Sequence, residues 1–188
     1  MVEDEEVLRR LADVMEGLKI PYMVVGSVAS SVYGRWRTTE DIDVVADLHS
    51  KDVPGLCEKF PPPEYYVSPE AALQAVRAGR QFNIIRSTTA EKIDIMLARK
   101  DAWGKMQLAR RRPVRVLEDR DVDLASPEDI VIAKLLYCQE GGSDKHLEDI
   151  AGILKVVGSG TDRAYIDRWA AALGLADLWQ ETLRIVGL

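Results

Sequence analysis

Cysteine and histidine are scarce in this 188-residue chain, with two of each, Cys57 and Cys138, His49 and His146. Two cysteines exclude a disulfide framework and a four-cysteine zinc site, and two histidines exclude a histidine-rich metal site. A catalytic metal would therefore be held mainly by carboxylates, which selects a hard ion such as Mg²⁺. An excess of positive charge is also lacking: 31 Asp and Glu against 25 Lys and Arg leave a net charge of −6. That excludes a strongly basic wrapper of nucleic acid or a polybasic membrane-surface protein, though not a local basic groove. There is no run of 18 apolar residues, so no membrane helix is expected, and no repeat period. The acidic start, Met1-Val-Glu-Asp-Glu-Glu6, fits neither a signal nor a transit peptide, and the expected location is the cytoplasm. With 47% hydrophobic residues, the chain has the apolar matter for a core.

Helical spacing of Val7, Leu8, Leu11, Val14, Met15 and Leu18 predicts a helix over 4–19, stopped by Pro21. Tyr22–Val25 reads as a short strand, Gly26-Ser27 as a turn, 28–33 as a helix closed by Gly34, and 41–45 as a strand. Three prolines at 61–63 break any helix there, and 69–79 reads as a helix with Pro69 in its first turn and Gly79 near its end. Two antiparallel strands are predicted over 81–87 and 92–97, a helix over 101–111 and a strand over 114–117. From about residue 125 only helices follow, near 127–139, 144–157, 162–173 and 175–186, the first with Ser126 as N-cap and Pro127 at its first position. The expected fold is α/β (α+β), a small mixed sheet flanked by helices over 1–124, with a C-terminal helical subdomain over 125–188.

Three segments carry candidate chemistry. Gly26-Ser27, between a strand and a helix, permits a tight turn and offers helix-end N–H groups to a phosphate. Asp41-Ile42-Asp43 places two carboxylates on one strand face, their Cα atoms about 6.5–7 Å apart, while Ile42 and Val44 enter the core. Like charges so placed raise each other's pKa unless a cation lies between them. Asp94, in Lys92-Ile-Asp-Ile-Met-Leu97, sits opposite the apolar face of a later strand that could pack beside the first. Each segment by itself is also what an ordinary turn or solvated strand face looks like. Together, three carboxylates can bind two Mg²⁺ ions, the arrangement for in-line displacement at a nucleotide phosphate.

The joint pattern, Val25-Gly26-Ser27, a short helix, Asp41-Ile42-Asp43-Val44 and a distant Asp94, resembles the DNA polymerase β-like nucleotidyltransferase superfamily. The stretch Arg37-Thr-Thr-Glu-Asp-Ile-Asp43 is similar to the R-x-T-x-D-I-D form of small bacterial members, among them AbiEii-type toxins and antibiotic nucleotidyltransferases. The resemblance implies that Gly26 and Ser27, with Arg37 and Thr39 of the loop, hold the triphosphate of an NTP. It implies that Asp41, Asp43 and Asp94 hold two Mg²⁺ (or Mn²⁺) ions, and that Asp94 favours deprotonation of the attacking hydroxyl. The implied reaction moves a nucleoside monophosphate to an acceptor hydroxyl or phosphate on tRNA or another RNA, a protein or a small molecule. The toxin-like members add an antitoxin protein as a partner, and no membrane. A nucleotide-binding or protein-interaction module that keeps the fold without turnover is the alternative.

In Ile130-Val-Ile-Ala-Lys134-Leu-Leu-Tyr-Cys138 one charge stands among nine residues; Lys134 either snorkels to water or reaches the triphosphate. Lys145 and Asp149, four apart, read as an ion pair within one helix. Arg110-Arg-Arg112 with Arg115 reads as a solvated helix end or as a contact for an RNA backbone. Arg35 and Arg37 either pair with Glu40 or neutralise phosphate, and Trp36 either anchors its loop or stacks on a base. Trp103, Trp169 and Trp179 read as packing residues.

Overall fold

The computed structural model describes residues 5–34, 41–141 and 144–187, with Asp144 described in its backbone alone. The readings made for Arg35, Trp36, Arg37, Thr39 and Glu40 therefore lie outside the described residues. In chain order the elements are α1 (Glu5–Gly17), β1 (Tyr22–Val24), α2 (Gly26–Tyr33), β2 (Asp41–Ala46), α3 (Val53–Glu58), β3 (Tyr65–Tyr66), α4 (Pro69–Ala78), β4 (Phe82–Arg86), β5 (Lys92–Leu97), α5 (Ala102–Ala109), β6 (Arg112–Arg115), β7 (Asp121–Leu124), α6 (Pro127–Gln139), α7 (Asp144–Val157), α8 (Arg163–Ala172) and α9 (Ala176–Val186). A short 3₁₀ turn over Gly158–Gly160 follows α7. Counting described residues, the chain forms two compact units, one of 5–28 and 41–125, the other of 29–34 and 126–187. The boundary falls inside α2, so the later residues of that helix group with the C-terminal helices.

The first unit is built on one mixed seven-stranded sheet in the order β3-β4-β5-β2-β1-β7-β6. The β2–β5 and β1–β7 pairs are parallel and the others antiparallel. Period-two alternation sorts its faces. Val24, Ile42, Val44, Ile84, Ile93, Ile95 and Leu124 fall on one face by register and are buried. Removing that aliphatic area from water drives the sheet to form, at about 25 cal/mol per Å². The helix α1 buries the stripe Val7, Leu8, Leu11, Ala12 and Met15 and keeps its charged side outside. Ion pairs fix where that side goes: Arg9 to Asp119, Arg120 to both Asp13 and Glu16, and Arg86 of β4 to Glu6 at 2.7 Å. At the C-terminus of α4, Gly79 takes the left-handed conformation (φ +64°), the usual way to end a helix.

Two differences from the sequence reading have physical causes. The helix α2 begins at Gly26, two residues earlier than expected, because Gly26 itself makes the left-handed entry (φ +59°). The strand expected over 114–117 runs over Arg112–Arg115 and has an unexpected partner, β7. Pro113 argues against a strand from sequence, yet β6 is the outermost strand, where one edge needs no donor. The run Arg110–Arg112 with Arg115 is accordingly split between a helix end and a strand. Arg111 pairs with Asp123 at 2.9 Å and Arg115 with Asp121 at 2.7 Å, both acids on β7.

In the second unit α6 packs against α7 and α8, and α8 against α9. Ser126 caps α6: its Oγ accepts from the Asp129 N–H at 3.2 Å and its hydroxyl donates to Asp129 Oδ2 at 2.6 Å. Trp179 is fully buried and donates its indole N–H to Asp167 at 2.6 Å. Gly34 ends α2 with its backbone against α7; a Cβ there would lie 3.0 Å from the Ile153 nitrogen and from the Ser30 carbonyl oxygen.

Candidate active site

The strand β2 is the first support of the site. Ile42, Val44 and Ala46 take the buried face, so Asp41 and Asp43 share the opposite one, Asp41 exposed and Asp43 half-buried. Parallel pairing of β2 with β5 sets Asp43 directly beside Asp94 and Asp41 beside Lys92. Neighbouring strands lie about 4.8 Å apart. The three predicted carboxylates therefore occupy one patch of one face, in adjacent rows. Burial holds the Asp94 carboxyl above the usual carboxylate range, and the Asp41 charge pushes the same way while Lys92 opposes it.

The strand-to-helix junction is the second support, and it is built on Asp43. The Val25 N–H donates to the Asp43 carbonyl at 2.9 Å. At Gly26 a side chain would collide with the Asp43 carboxylate: a Cβ would sit 2.6 Å from Asp43 Cγ and 2.8 Å from its Cβ, with Oδ2 nearer still. Gly26 is thus required twice, for its positive φ and for the space its hydrogen leaves to Asp43. The start of α2, at Gly26, lies directly against the Asp43 carboxylate. Helix N-termini present unpaired N–H groups and favour anions.

In donor chemistry the patch fits a hard divalent ion, since every candidate ligand is a carboxylate oxygen. The side chains are not drawn to a common point: among the described residues no group of three or more His, Cys, Asp or Glu is gathered closely enough to hold a metal ion. What the structure supplies is the row in the backbone, not a closed set of ligands.

Lys134 has a partner that the sequence did not suggest. It is buried, 6% exposed, and its Nζ lies 2.6 Å from Asp149 Oδ2 of α7. Asp149 is therefore bound across two helices by Lys134, where the spacing had suggested Lys145 of its own helix. His146 stacks on Tyr137, ring centroids 5.6 Å apart at 24°. Cys57 is buried, which pushes its thiol up and away from nucleophilic use. Of the tryptophans, Trp103 and Trp179 are buried and Trp169 is half-buried beside Tyr165.

Two features of interest escaped the sequence reading. Glu128 and Asp129, read only as a helix start, are each about 1% exposed. Glu128 accepts from the Asp162 N–H at 3.1 Å, and Asp129 accepts from the Tyr165 hydroxyl at 2.7 Å. Asn83 of β4 lies directly opposite Asp94, on the carboxylate face. Its type and strand were legible; its register opposite Asp94 depends on the turn at 87–91, which alternation alone does not fix.

No protein-family model matches the chain, and no curated protein matches it in sequence. Solved structures do match in three dimensions. An antigenic nucleotidyltransferase-like protein from Paracoccidioides brasiliensis aligns at TM-score 0.55 and 19% identity, over 95% of this chain and 90% of that one. The antibiotic-resistance factor ANT(2″)-Ia aligns at TM-score 0.54 and 14% identity, over 93% and 95%. The lincosamide antibiotic adenylyltransferase LnuA aligns at TM-score 0.54 and 16% identity, over 84% and 98%. The fold is the nucleotidyltransferase fold. The likeness is one of fold, since fewer than one residue in five is shared. In this chain the seven-stranded mixed sheet carries Asp41, Asp43 and Asp94, and the helix that follows β1 begins at Gly26.

Proposed function

We propose that the protein is a nucleotidyltransferase that moves a nucleoside monophosphate from an NTP to an acceptor hydroxyl. The observation that carries this reading is the seating of Gly26 against the Asp43 carboxylate, with Asp94 beside Asp43 in register. It sets the start of α2 next to a patch of three carboxylates. In the reaction, the acceptor oxygen bonds to the α-phosphorus, the bond from that phosphorus to the β-phosphate oxygen breaks, and pyrophosphate leaves with the electron pair. The proton of the acceptor hydroxyl passes to Asp94. Gly26 and Ser27 orient the triphosphate, with Arg37 and Thr39 assigned to the same task. Divalent ions on Asp41, Asp43 and Asp94, Mg²⁺ or Mn²⁺, would supply charge neutralisation on the transferring phosphate. The rest of the rate comes from positioning by the chain itself.

Lys134, expected to reach the triphosphate, is paired with Asp149 at 2.6 Å, and any contact with phosphate would compete with that ion pair. The antibiotic-directed names of two structural relatives support a small-molecule acceptor. The stretch Arg37-Thr-Thr-Glu-Asp-Ile-Asp43 supports the AbiEii-type reading, in which an antitoxin protein is a partner and RNA the acceptor.

The test is incubation with each α-labelled NTP and Mg²⁺ in the presence of total tRNA, of protein, and of a small-molecule pool. Label should move into one of the three with the wild-type chain. It should not move with Asp41→Ala combined with Asp43→Ala. Equal labelling by both would overturn the assignment, and NTP binding without transfer by the wild type would favour a binding module that keeps the fold.

A further inference from the structure

The carboxylate patch continues across the sheet in one direction. Register extends the row Asp43 (β2), Asp94 (β5) to Asn83 (β4). The adjacent row runs Asp41 (β2), Lys92 (β5), Ile85 (β4), Tyr66 (β3). Residues opposite one another on paired strands share a face. Tyr66, Ile85 and Asn83 therefore stand on the same face as the three acids, on the side of Asp94 away from Gly26. Their partners on the other face, Tyr65 and Ile84, are buried, which fixes the parity independently. Tyr66 is 63% exposed, Asn83 is exposed and Ile85 is half-buried. An aromatic ring that exposed at the end of a sheet contributes little to folding, because most of its area stays in water.

We infer that Asn83, Ile85 and Tyr66 form the acceptor subsite, and that the acceptor is a small hydroxylated molecule with a ring or other flat apolar face. The inference rests on the nucleotidyltransferase reading and takes its direction from it. The triphosphate occupies the Gly26 end of the row. An in-line attack needs the acceptor oxygen on the far side of the α-phosphorus from the leaving pyrophosphate. The acceptor therefore approaches over β5 and β4, where Asn83 is the first group beside Asp94. The Asn83 amide can donate to and accept from an acceptor hydroxyl. Tyr66 and Ile85 give an apolar seat one row away, and the distance from β3 to β2 is three strand spacings, about 14 Å, the span of a small molecule. The chemistry of the seat decides against a polynucleotide. Asn83, Ile85 and Tyr66 carry no positive charge, whereas nucleic acid is gripped mainly through phosphates. Lys92, the cation in these two rows, stands opposite Asp41.

The test uses the full chain with Mg·ATP and two acceptor pools, a cell extract fraction below 1 kDa and total tRNA. Three single variants are compared, Tyr66→Ala, Tyr66→Phe and Asn83→Ala, with Asp41→Ala/Asp43→Ala as the nucleotide-site control. ATP affinity is read by equilibrium dialysis and transfer by label migration. Wild type should label the small-molecule pool. Tyr66→Ala and Asn83→Ala should each raise the pool concentration for half-maximal transfer at least tenfold and keep wild-type ATP affinity, and Tyr66→Phe should restore transfer. Labelling of tRNA alone, no labelling of the small-molecule pool despite ATP binding, or acceptor dependence unchanged in Tyr66→Ala and Asn83→Ala would overturn the subsite. If the wild type binds no ATP, the dialysis is repeated with GTP, CTP and UTP; failure to bind any of the four would instead overturn the underlying nucleotidyltransferase reading, and the subsite with it.

Discussion

Two sets of acids in this chain differ in burial and in the neighbours that the fold gives them. In the helical unit, Glu128 and Asp129 are buried, and each is met by donors: the Asp162 N–H, the Tyr165 hydroxyl, the Ser126 hydroxyl. In the α/β unit, Asp41, Asp43 and Asp94 lie on a partly exposed sheet face, and the neighbours that register gives Asp94 include another acid, Asp43. Asp41 adds repulsion that raises the Asp94 carboxyl further. Buried carboxylates with donors hold helices together. Carboxylates set beside one another spend folding energy, so their arrangement needs a different reason. The difference marks Glu128 and Asp129 as framework and supports the proposal that the strand acids form a site.

The sharpest break of this comparison is a substitution that separates activity from stability. Asp43→Asn should lower nucleotidyl transfer at least a thousandfold, about 4 kcal/mol of transition-state stabilisation. It should leave the urea unfolding free energy within about 0.5 kcal/mol of wild type, because it removes like-charge repulsion along with whatever Asp43 contributes. A large stability loss with transfer intact would move Asp43 into the framework class.

Gly26→Ala should do both kinds of damage. A non-glycine residue at positive φ costs about 1–2 kcal/mol, and the collision with the Asp43 carboxylate adds to it. We expect a total near 3 kcal/mol in chemical denaturation, with transfer lost in parallel. Asp43→Gly should recover the collision part and leave the backbone part, so a double-mutant cycle should give a coupling of at least about 1 kcal/mol. A coupling near zero would mean that Gly26 and Asp43 are neighbours by accident.

Asp129→Ala is the converse case. It strips the Ser126 and Tyr165 hydroxyls of their acceptor in a buried place, for an expected loss of about 2–3 kcal/mol measured by urea unfolding. A loss under about 0.5 kcal/mol would remove the contrast with Asp43.

How far these roles are legible in sequence depends on which distance sets them. Asp41 and Asp43 share a face because strand side chains alternate, and that is local. The cap at Ser126 and the left-handed Gly79 at the end of α4 are local too, and both were legible. Asp94 needed a motif, since its place beside Asp43 depends on β5 lying parallel to β2 across fifty residues of chain. Asn83 and Tyr66 were beyond reach, because their face depends on the register of two successive antiparallel pairs. Lys134 shows the same limit: its partner Asp149 is fixed by the packing of α6 on α7, while spacing proposed Lys145. The strand β7 was missed because four alternating residues between turns resemble a loop, and only pairing with β1 and β6 makes them a strand.

The smallest effect tests the comparison at its margin, with an acid that is exposed, as Asp41 is, and met by donors, as the buried pair is. Asp101 caps α5, accepting from the Gly104 N–H at 2.7 Å, and its other oxygen takes both the Nε and Nη2 hydrogens of Arg99. Those bonds hold its carboxyl below the usual range, the Arg99 hydrogen bond contributing most. A depressed folded-state value contributes stability above the unfolded pKa, about 3.9, and that contribution is lost as the pH falls through the folded value. Asp101→Asn keeps a capping oxygen and drops the charge. At pH 7 it should cost less than about 1 kcal/mol, since the pair with Arg99 is largely in water. Below about pH 4 the gap between variant and wild type should close, read from urea midpoints at stepped pH. A gap that stays constant down to pH 2 would show that the cap, and not the charge, carries the stabilisation; donors alone would then fail to distinguish Asp101 from an ordinary surface acid.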